Sequence, residues 1–352
     1  MDGDFNIVKW KNADALLNQR ILKVEVADPS KLNLNFIYYW LDPYVRKVND
    51  LTSATTVKHL SVRDIVRASD KLPRVSEQKK IAAILTSIDT AIENTEALIE
   101  KYQQIKAGLM HDLFTRGVLP NGQLRPTREQ APQLYQQTVI GWIPKEWDVP
   151  ELRELLSSIT YGFTNPMPEA DDGPYLITAA DVVNGAIQFG TCRKTTRLAF
   201  ETLLTNKSRP KIGDILLTKD GTLGRLAIVD RDYACVNQSV AVLRPVNVGD
   251  SEFLFFLLAS KKYQDKMTAD AGGSTIKHIY ITVVNRMQIA IPKSEREREL
   301  LTHGARTVER KISHELCQLM KLKAQKLGLM QDLLTGKVQV KVDSEAAELA
   351  HA

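Results

Sequence analysis

Gly108-Leu-Met-His-Asp-Leu-Phe-Thr115 returns 220 residues later as Gly328-Leu-Met-Gln-Asp-Leu-Leu-Thr335, with six of eight positions identical. Outward from this octet the duplication continues. Asn18-Gln19 answers Asn237-Gln238, Thr56-Val-Lys-His59 answers Thr275-Ile-Lys-His278, and Leu72-Pro73 answers Ile291-Pro292, all at an offset of 219. The run Phe36-Ile-Tyr-Tyr-Trp-Leu41 matches Phe253-Leu-Phe-Phe-Leu-Leu258 at 217, so short insertions separate the anchors. Solenoid repeats recur every 20 to 50 residues or so; a period this long marks a duplicated domain.

Ahead of each octet lies a helical pattern. From Ser76, a plausible N-cap, to about Thr115 there is no Pro and no Gly before Gly108, and Gly117 and Pro120 supply the stop. Steps of four and three give the seam Ile81, Leu85, Ile88, Ile92, Thr95, Ile99, Tyr102, Lys106, Leu109 and Leu113. Adding 220 gives Leu301, Ala305, Val308, Ile312, Glu315, Leu319, Leu322, Lys326, Leu329 and Leu333, with polar breaks at the same places. At 1.5 Å per residue a helix of about 40 residues reaches ~60 Å. Two surface helices, each on its own domain, would be the plainer reading. Each seam is too long for one compact domain to bury, however, and the expectation is a mutual, antiparallel coiled coil.

Between the helices, Pro174-Tyr-Leu-Ile177, Asp214-Ile-Leu-Leu217, Leu226-Ala-Ile-Val229 and Ser239-Val-Ala-Val-Leu243 read as strands, with Asn184-Gly185 and Asp220-Gly221 as turns. Phe253 to Lys266 reads as a helix inside this mostly β region. The expected fold class is α+β. A partial first β-rich domain spans 1–75, a long helix 76–117, a linker 118–140, a second such domain 141–293, a second long helix 294–338, and a disordered tail 339–352. The second copy opens near Gly141-Trp-Ile-Pro-Lys-Glu-Trp147, and 219 residues earlier falls about 78 positions before Met1, so a shortened first copy is expected.

With 43% hydrophobic and 25% charged residues the composition is that of an ordinary globular protein. No run of 18 apolar residues and no signal-like N-terminus occur, so a cytoplasmic location without a membrane partner is expected. Cys192, Cys235 and Cys317 form no CxxC or Cys/His cluster, which argues for reduced, structural thiols and no metal site. The net charge of +5 permits a nucleic-acid partner without demanding one.

Leu72-Pro-Arg-Val-Ser-Glu-Gln78 leading into the first helix, Gly213-Asp-Ile-Leu-Leu-Thr-Lys-Asp-Gly221, Val236-Asn-Gln-Ser239 and the two Gly-Leu-Met helix ends, in this order and in duplicate, resemble the specificity subunit of type I restriction-modification systems. The resemblance covers nearly the whole chain. It implies a non-catalytic subunit in which two target recognition domains alternate with two conserved helices, each domain reading half of a split site on double-stranded DNA. It also implies partners: modification (methyltransferase) subunits with S-adenosylmethionine, a restriction subunit with ATP and Mg, and conceivably a second specificity polypeptide or homodimer. No cofactor is expected in this chain. The alignment of Met1-Asp2-Gly3 with Lys219-Asp220-Gly221 departs from the family pattern and leaves one intact recognition domain.

Duplex readers use Lys and Arg on phosphates and other side chains on base edges. Arg193, Lys194, Arg197, Lys207, Arg209 and Lys211 face a single acid, Glu201, between Thr191 and Lys211, and form the preferred DNA-facing segment; a solvated basic loop is the alternative. Tyr161, Thr164 and Asn165 could reach bases, or form a turn with a core aromatic. Lys219 and Arg225 are candidate phosphate contacts beside the turn Asp220-Gly-Thr-Leu-Gly224, and Lys277 follows the flexible Gly272-Gly-Ser274, with a structural role equally open. Asn237-Gln238 reads as structural.

Two rivals are weighed. One is a coiled-coil scaffold or assembly-modulating fragment that binds methyltransferase without reading DNA. The other is a DNA methyltransferase in its own right, but Asp42-Pro43-Tyr44 and Asn165-Pro166-Met167-Pro168 both break the amino-methyltransferase motif, and no glycine-rich strand-to-helix turn precedes them.

Overall fold

The computed structural model describes residues 5–10, 14–18, 20–52, 60–68, 71–269 and 278–342. Lys277, Thr56 to His59, Gly272 to Ser274 and most of the expected tail lie outside these. In chain order the helices are α1 (Leu34–Leu51), α2 (Val62–Val66), α3 (Val75–Thr115), α4 (Arg197–Thr202), α5 (Ser251–Ala259), α6 (Lys261–Ala269), α7 (Ile281–Asn285) and α8 (Glu295–Leu334). The strands are β1 (Tyr135–Thr138), β2 (Gly141–Pro144), β3 (Trp147–Asp148), β4 (Leu156–Tyr161), β5 (Glu169–Ile177), β6 (Val182–Val183), β7 (Ala186–Ile187), β8 (Arg193–Thr195), β9 (Ile215–Thr218), β10 (Leu226–Ile228), β11 (Ala234–Val236), β12 (Val240–Pro245) and β13 (Ile291–Pro292). Residues 1–101 with 312–352 form a first compact unit, and residues 102–311 a second. Each long helix contributes a stretch to each unit.

In the first unit, the Asn33 side chain accepts from Phe36 N and so caps α1, whose Phe36, Tyr39 and Leu41 pack with Ile81, Ala82 and Leu85 of α3 and Leu333 of α8. The start of one long helix thus meets the end of the other. Ion pairs repeat that direction: Asp89 to Lys326 at 2.6 Å and Glu96 to Lys323 at 2.8 Å, numbers rising on α3 as they fall on α8. In the second unit Leu113, Leu301 and Ala305 share a core, and Lys106 pairs with Glu309. The pairing is antiparallel in both units. Every one of the twenty expected seam positions is buried or half-buried.

The second unit is built on an antiparallel sheet of order β10-β9-β12-β4. Side chains alternate across a strand, so its two faces feed two cores. Ile215, Leu217, Leu226, Ala241 and Leu243 join one with Phe253, Leu257, Phe114 and Leu301, while Leu216, Ala227, Val240 and Val242 join another with Ile177, Val182 and Val236. Burial on both faces explains why Ile215-Leu-Leu217 is apolar throughout instead of alternating. A second sheet of order β11-β5-β8 pairs β11 parallel and β8 antiparallel with β5. Asn184 (φ 51°) and Gly185 (φ 79°) turn the hairpin between β6 and β7, as the Asn-Gly signal requires.

Three boundaries differ from the sequence reading. The single helix over Phe253 to Lys266 is two, because Ser260 is extended (ψ 146°) and its hydroxyl donates to Leu257 O. Residues 118–140 are packed and partly buried: Val118 bridges Leu124, Arg125 is 3% exposed, and Tyr135 opens β1. Ser76 is inside α3, whose start is closed by the Glu77 carboxylate accepting from Arg74 N at 2.8 Å.

Candidate nucleic-acid interface

The antiparallel register brings the C-terminal ends of β4 and β9 and the N-terminal ends of β10 and β12 to one end of the sheet: Tyr161 pairs with Ala241, Thr218 with Val240, and Leu217 with Leu226. Tyr161 is half exposed there, Thr164 and Asn165 are exposed in the loop that follows, and Arg225 is exposed at the start of β10. Lys219 Nζ lies 5.4 Å from the centre of the Tyr161 ring, within cation–π range. The sheet therefore gathers Tyr161, Thr164, Asn165, Lys219 and Arg225 from two separate stretches of chain. Phe163 points inward against the Leu176 and Cys235 core.

Asp220 organises this end. Its carboxylate meets Lys219 Nζ at 2.7 Å and His278 Nδ1 at 2.7 Å. Burial pushes the Asp220 carboxyl up, but the hydrogen bonds from His278 and Lys219 outweigh it and hold the group below the usual carboxylate range. The turn itself is tight: Thr218 Oγ1 donates to Thr222 O, and Gly224 N donates to Thr218 O, with Gly221 at φ 77°. Asn237 Oδ1 accepts from Ser239 N at 3.1 Å, the structural role expected for that asparagine.

The basic segment from Arg193 to Lys211 behaves differently, because most of its cations have partners within the chain. Arg193 pairs with Glu169, Lys194 with Asp172 at 3.3 Å, and Arg197 with Glu201 at 2.7 Å. Two of those acids, Glu169 and Asp172, come from β5 and were invisible to a count made along the segment. Arg209 spends its guanidinium on the carbonyls of Phe200, Glu201 and Leu204 and stacks 4.7 Å from the Phe200 ring, so it braces α4. Lys207 and Lys211 remain exposed, without a side-chain partner among the described residues.

His278 and Asp220 were missed as members of the site. The available signal was their joint recurrence, as Asp2 and His59, in the first copy. Of the two motif-like stretches, Asp42-Pro43-Tyr44 lies within α1, where Asp42 is engaged by Arg46 at 3.0 Å. Among the described residues no group of three His, Cys, Asp or Glu could hold a metal, and no helix is long and apolar enough to cross a membrane. Burial pushes the Cys192 and Cys235 thiols up to about 12, which makes them poor nucleophiles.

A duplicated helix pair that carries a sheet-built head with cations and amide-bearing loops at one end defines a class of multi-part recognition proteins. The family described as "Type I restriction modification DNA specificity domain" matches residues 1–104 and 144–323, and the chain belongs to that family. It is 28% identical over 337 residues to the type I restriction enzyme EcoBI specificity subunit of Escherichia coli, covering 92% of this chain and 70% of the relative. It is 23% identical over 336 residues to the MjaVIII specificity subunit of Methanocaldococcus jannaschii, covering 93% and 75%. The crystal structure of a type I restriction-modification S subunit from M. genitalium shares the fold, with a TM-score of 0.55 at 18% identity over 87% of this chain and 74% of that one.

Proposed function

We propose that this chain reads double-stranded DNA for a type I restriction-modification assembly and performs no chemistry itself, leaving methylation and cleavage to partner subunits. The observation that carries this reading is the gathering of Tyr161, Lys219, Arg225 and the Thr164–Asn165 loop at one end of the β10-β9-β12-β4 sheet. Lys219 and Arg225 grip backbone phosphates, while Tyr161, Thr164 and Asn165 approach base edges, the asparagine amide matching adenine in the major groove. Lys207, Lys211 and Lys277 add longer-range attraction. The methyltransferase subunits dock on the exposed faces of α3 and α8, and S-adenosylmethionine, ATP and Mg belong to the partners.

Two measurements test this. Methylome sequencing with and without the gene is expected to show loss of a bipartite methylated motif on deletion. Substituting Lys219→Ala and Arg225→Ala together is expected to reduce the salt slope of duplex binding by about 2, at roughly 0.9 per phosphate contact. An unchanged slope would remove this sheet end from the interface.

A further inference from the structure

Three groups of opposite sign and different origin meet at the sheet end. Lys219 and Asp220 belong to the β9–β10 turn, and His278 belongs to the segment leading into α7. The backbone fixes them from both sides: Lys219 N donates to Ser239 O at 2.9 Å, and Ile279 N donates to Lys219 O at 2.9 Å. Asp220 and His278 form an isolated antiparallel bridge. The side chains are thus held in register by main-chain bonds, and the Asp220 carboxylate then takes Lys219 Nζ on one oxygen and His278 Nδ1 on the other, each at 2.7 Å. The His278 side chain is 42% exposed, compared with 17% for Lys219 and 21% for Asp220.

An acid at a DNA-facing end repels phosphate unless it does something else. An ionised carboxylate only accepts hydrogen bonds, so Asp220 accepts from the Nδ1–H of the ring and leaves Nε2 for another partner. Lys219, on the other carboxylate oxygen, supplies a cation beside the ring. Asp220-Gly221 and His278 recur as Asp2-Gly3 and His59, whereas the lysine is replaced by Met1. Recurrence in both copies suits a contact to the sequence-independent backbone.

We propose that Asp220 is a positioning residue that sets Lys219 and His278 together as a grip on a DNA backbone phosphate. This rests on the DNA-reading function proposed above. The probe is a random-sequence duplex of about three helical turns, bound by the full chain and followed by fluorescence anisotropy from about 50 to 200 mM salt, the range where phosphate contacts dominate.

Simple charge counting and positioning predict opposite signs for Asp220→Asn. Removing an acid from a phosphate-facing surface tightens binding if Asp220 is a bystander. If it positions the grip, D220N weakens binding by roughly 3- to 10-fold, the scale of one charge-assisted hydrogen bond, and lowers the salt slope by about 1. His278→Gln gives a similar loss, and the double variant loses little more than either single one, since both act through one contact. Asp220→Glu restores part of the affinity. Unchanged or tighter binding by D220N together with unchanged binding by H278Q would overturn the grip while leaving the DNA-reading function intact. If the unaltered chain ignored the duplex, that function would fall first.

Discussion

The first and second units seat equivalent helices, α1 and α5, on the same pair of long helices, and they differ in the polar contacts those two helices make. In the first, α1 sets Phe36, Tyr39 and Leu41 against α3 and α8; in the second, α5 sets the equivalent Phe253, Phe256 and Leu258 into a core with Leu113, Leu301 and Ala305. The rim is rewired. Tyr39 donates its hydroxyl proton to Asp89 at 2.8 Å in the first unit, while Glu252 takes a forked pair from Arg306 in the second. Burial of an apolar side chain contributes about 1.5–3 kcal/mol without directional demands, so the apolar footprint withstands divergence that individual polar contacts do not.

The sharpest contrast is one glutamate at two equivalent positions. Glu297 is 7% exposed and is held by Arg125 at 2.9 Å, by Trp147 Nε1 at 3.1 Å and by Val118 N at 3.1 Å. Its counterpart Glu77 lies near the surface and closes the start of α3. Gly117, at φ 68°, passes so close to this clasp that a Cβ there would strike Glu297, Arg125 and Trp147. Glu297→Ala takes from the Arg125 guanidinium its buried partner, leaving it the exposed Glu146 and the Arg116 carbonyl, and is expected to cost up to about 3–5 kcal/mol in denaturant unfolding. Glu77→Ala is expected to cost far less, and only above acid pH. The backbone bond from Arg74 holds the Glu77 carboxyl below its ordinary 4.5, so its contribution is present above that value and fades as pH falls through the folded-state value. Equal losses in the two variants would erase the contrast.

If the apolar footprint is the shared element, its loss should hurt both units alike. Leu85 and Leu301 are fully buried, each where a long helix meets its partner. Truncating either to Ala is expected to cost about 2–5 kcal/mol by chemical denaturation, the spread depending on how far each site collapses. A loss confined to one unit would mean that the first core is held by something other than this packing.

These interactions divide by how far apart in sequence their parts lie. The seams, the strand runs and the Asn184-Gly185 turn were legible because each is set by a local period or by two adjacent residues. The helix pairing was legible because a duplicated seam implies its own partner. The clasp joins Arg125 to Glu297, and the site joins Asp220 to His278, across gaps that no periodicity bridges. The charge of the Arg193 segment was misjudged for the same reason: Glu169 and Asp172 reach it only through the β5–β8 register. Residues 118–140 looked like a linker because Pro, Gln and Thr signal loops, yet Arg125 ties that segment to the distant Glu297, and the Tyr135 hydroxyl closes it internally on Pro126 O.

The smallest effects belong to the polar breaks of the seam, and they separate the units most finely. Lys106 with Glu309 in the second unit and Lys326 with Asp89 in the first are equivalent pairs under the offset of 220. Both are partly exposed, so each is worth no more than about 1 kcal/mol. Lys106→Glu alone sets two acids together and is expected to cost about that much, and adding Glu309→Lys is expected to recover it, because the attraction has no preferred direction. The exchange should fail in the first unit. Asp89 also accepts the Tyr39 hydroxyl, and Lys326 lies 5.8 Å from the Tyr39 ring, so Asp89→Lys removes an acceptor that Lys326→Glu does not replace. Thermal unfolding of the two reversed pairs reads the difference: recovery in both would make Tyr39 a bystander, whereas recovery in the second unit alone would show that the seam charge of the first has been recruited to seat α1.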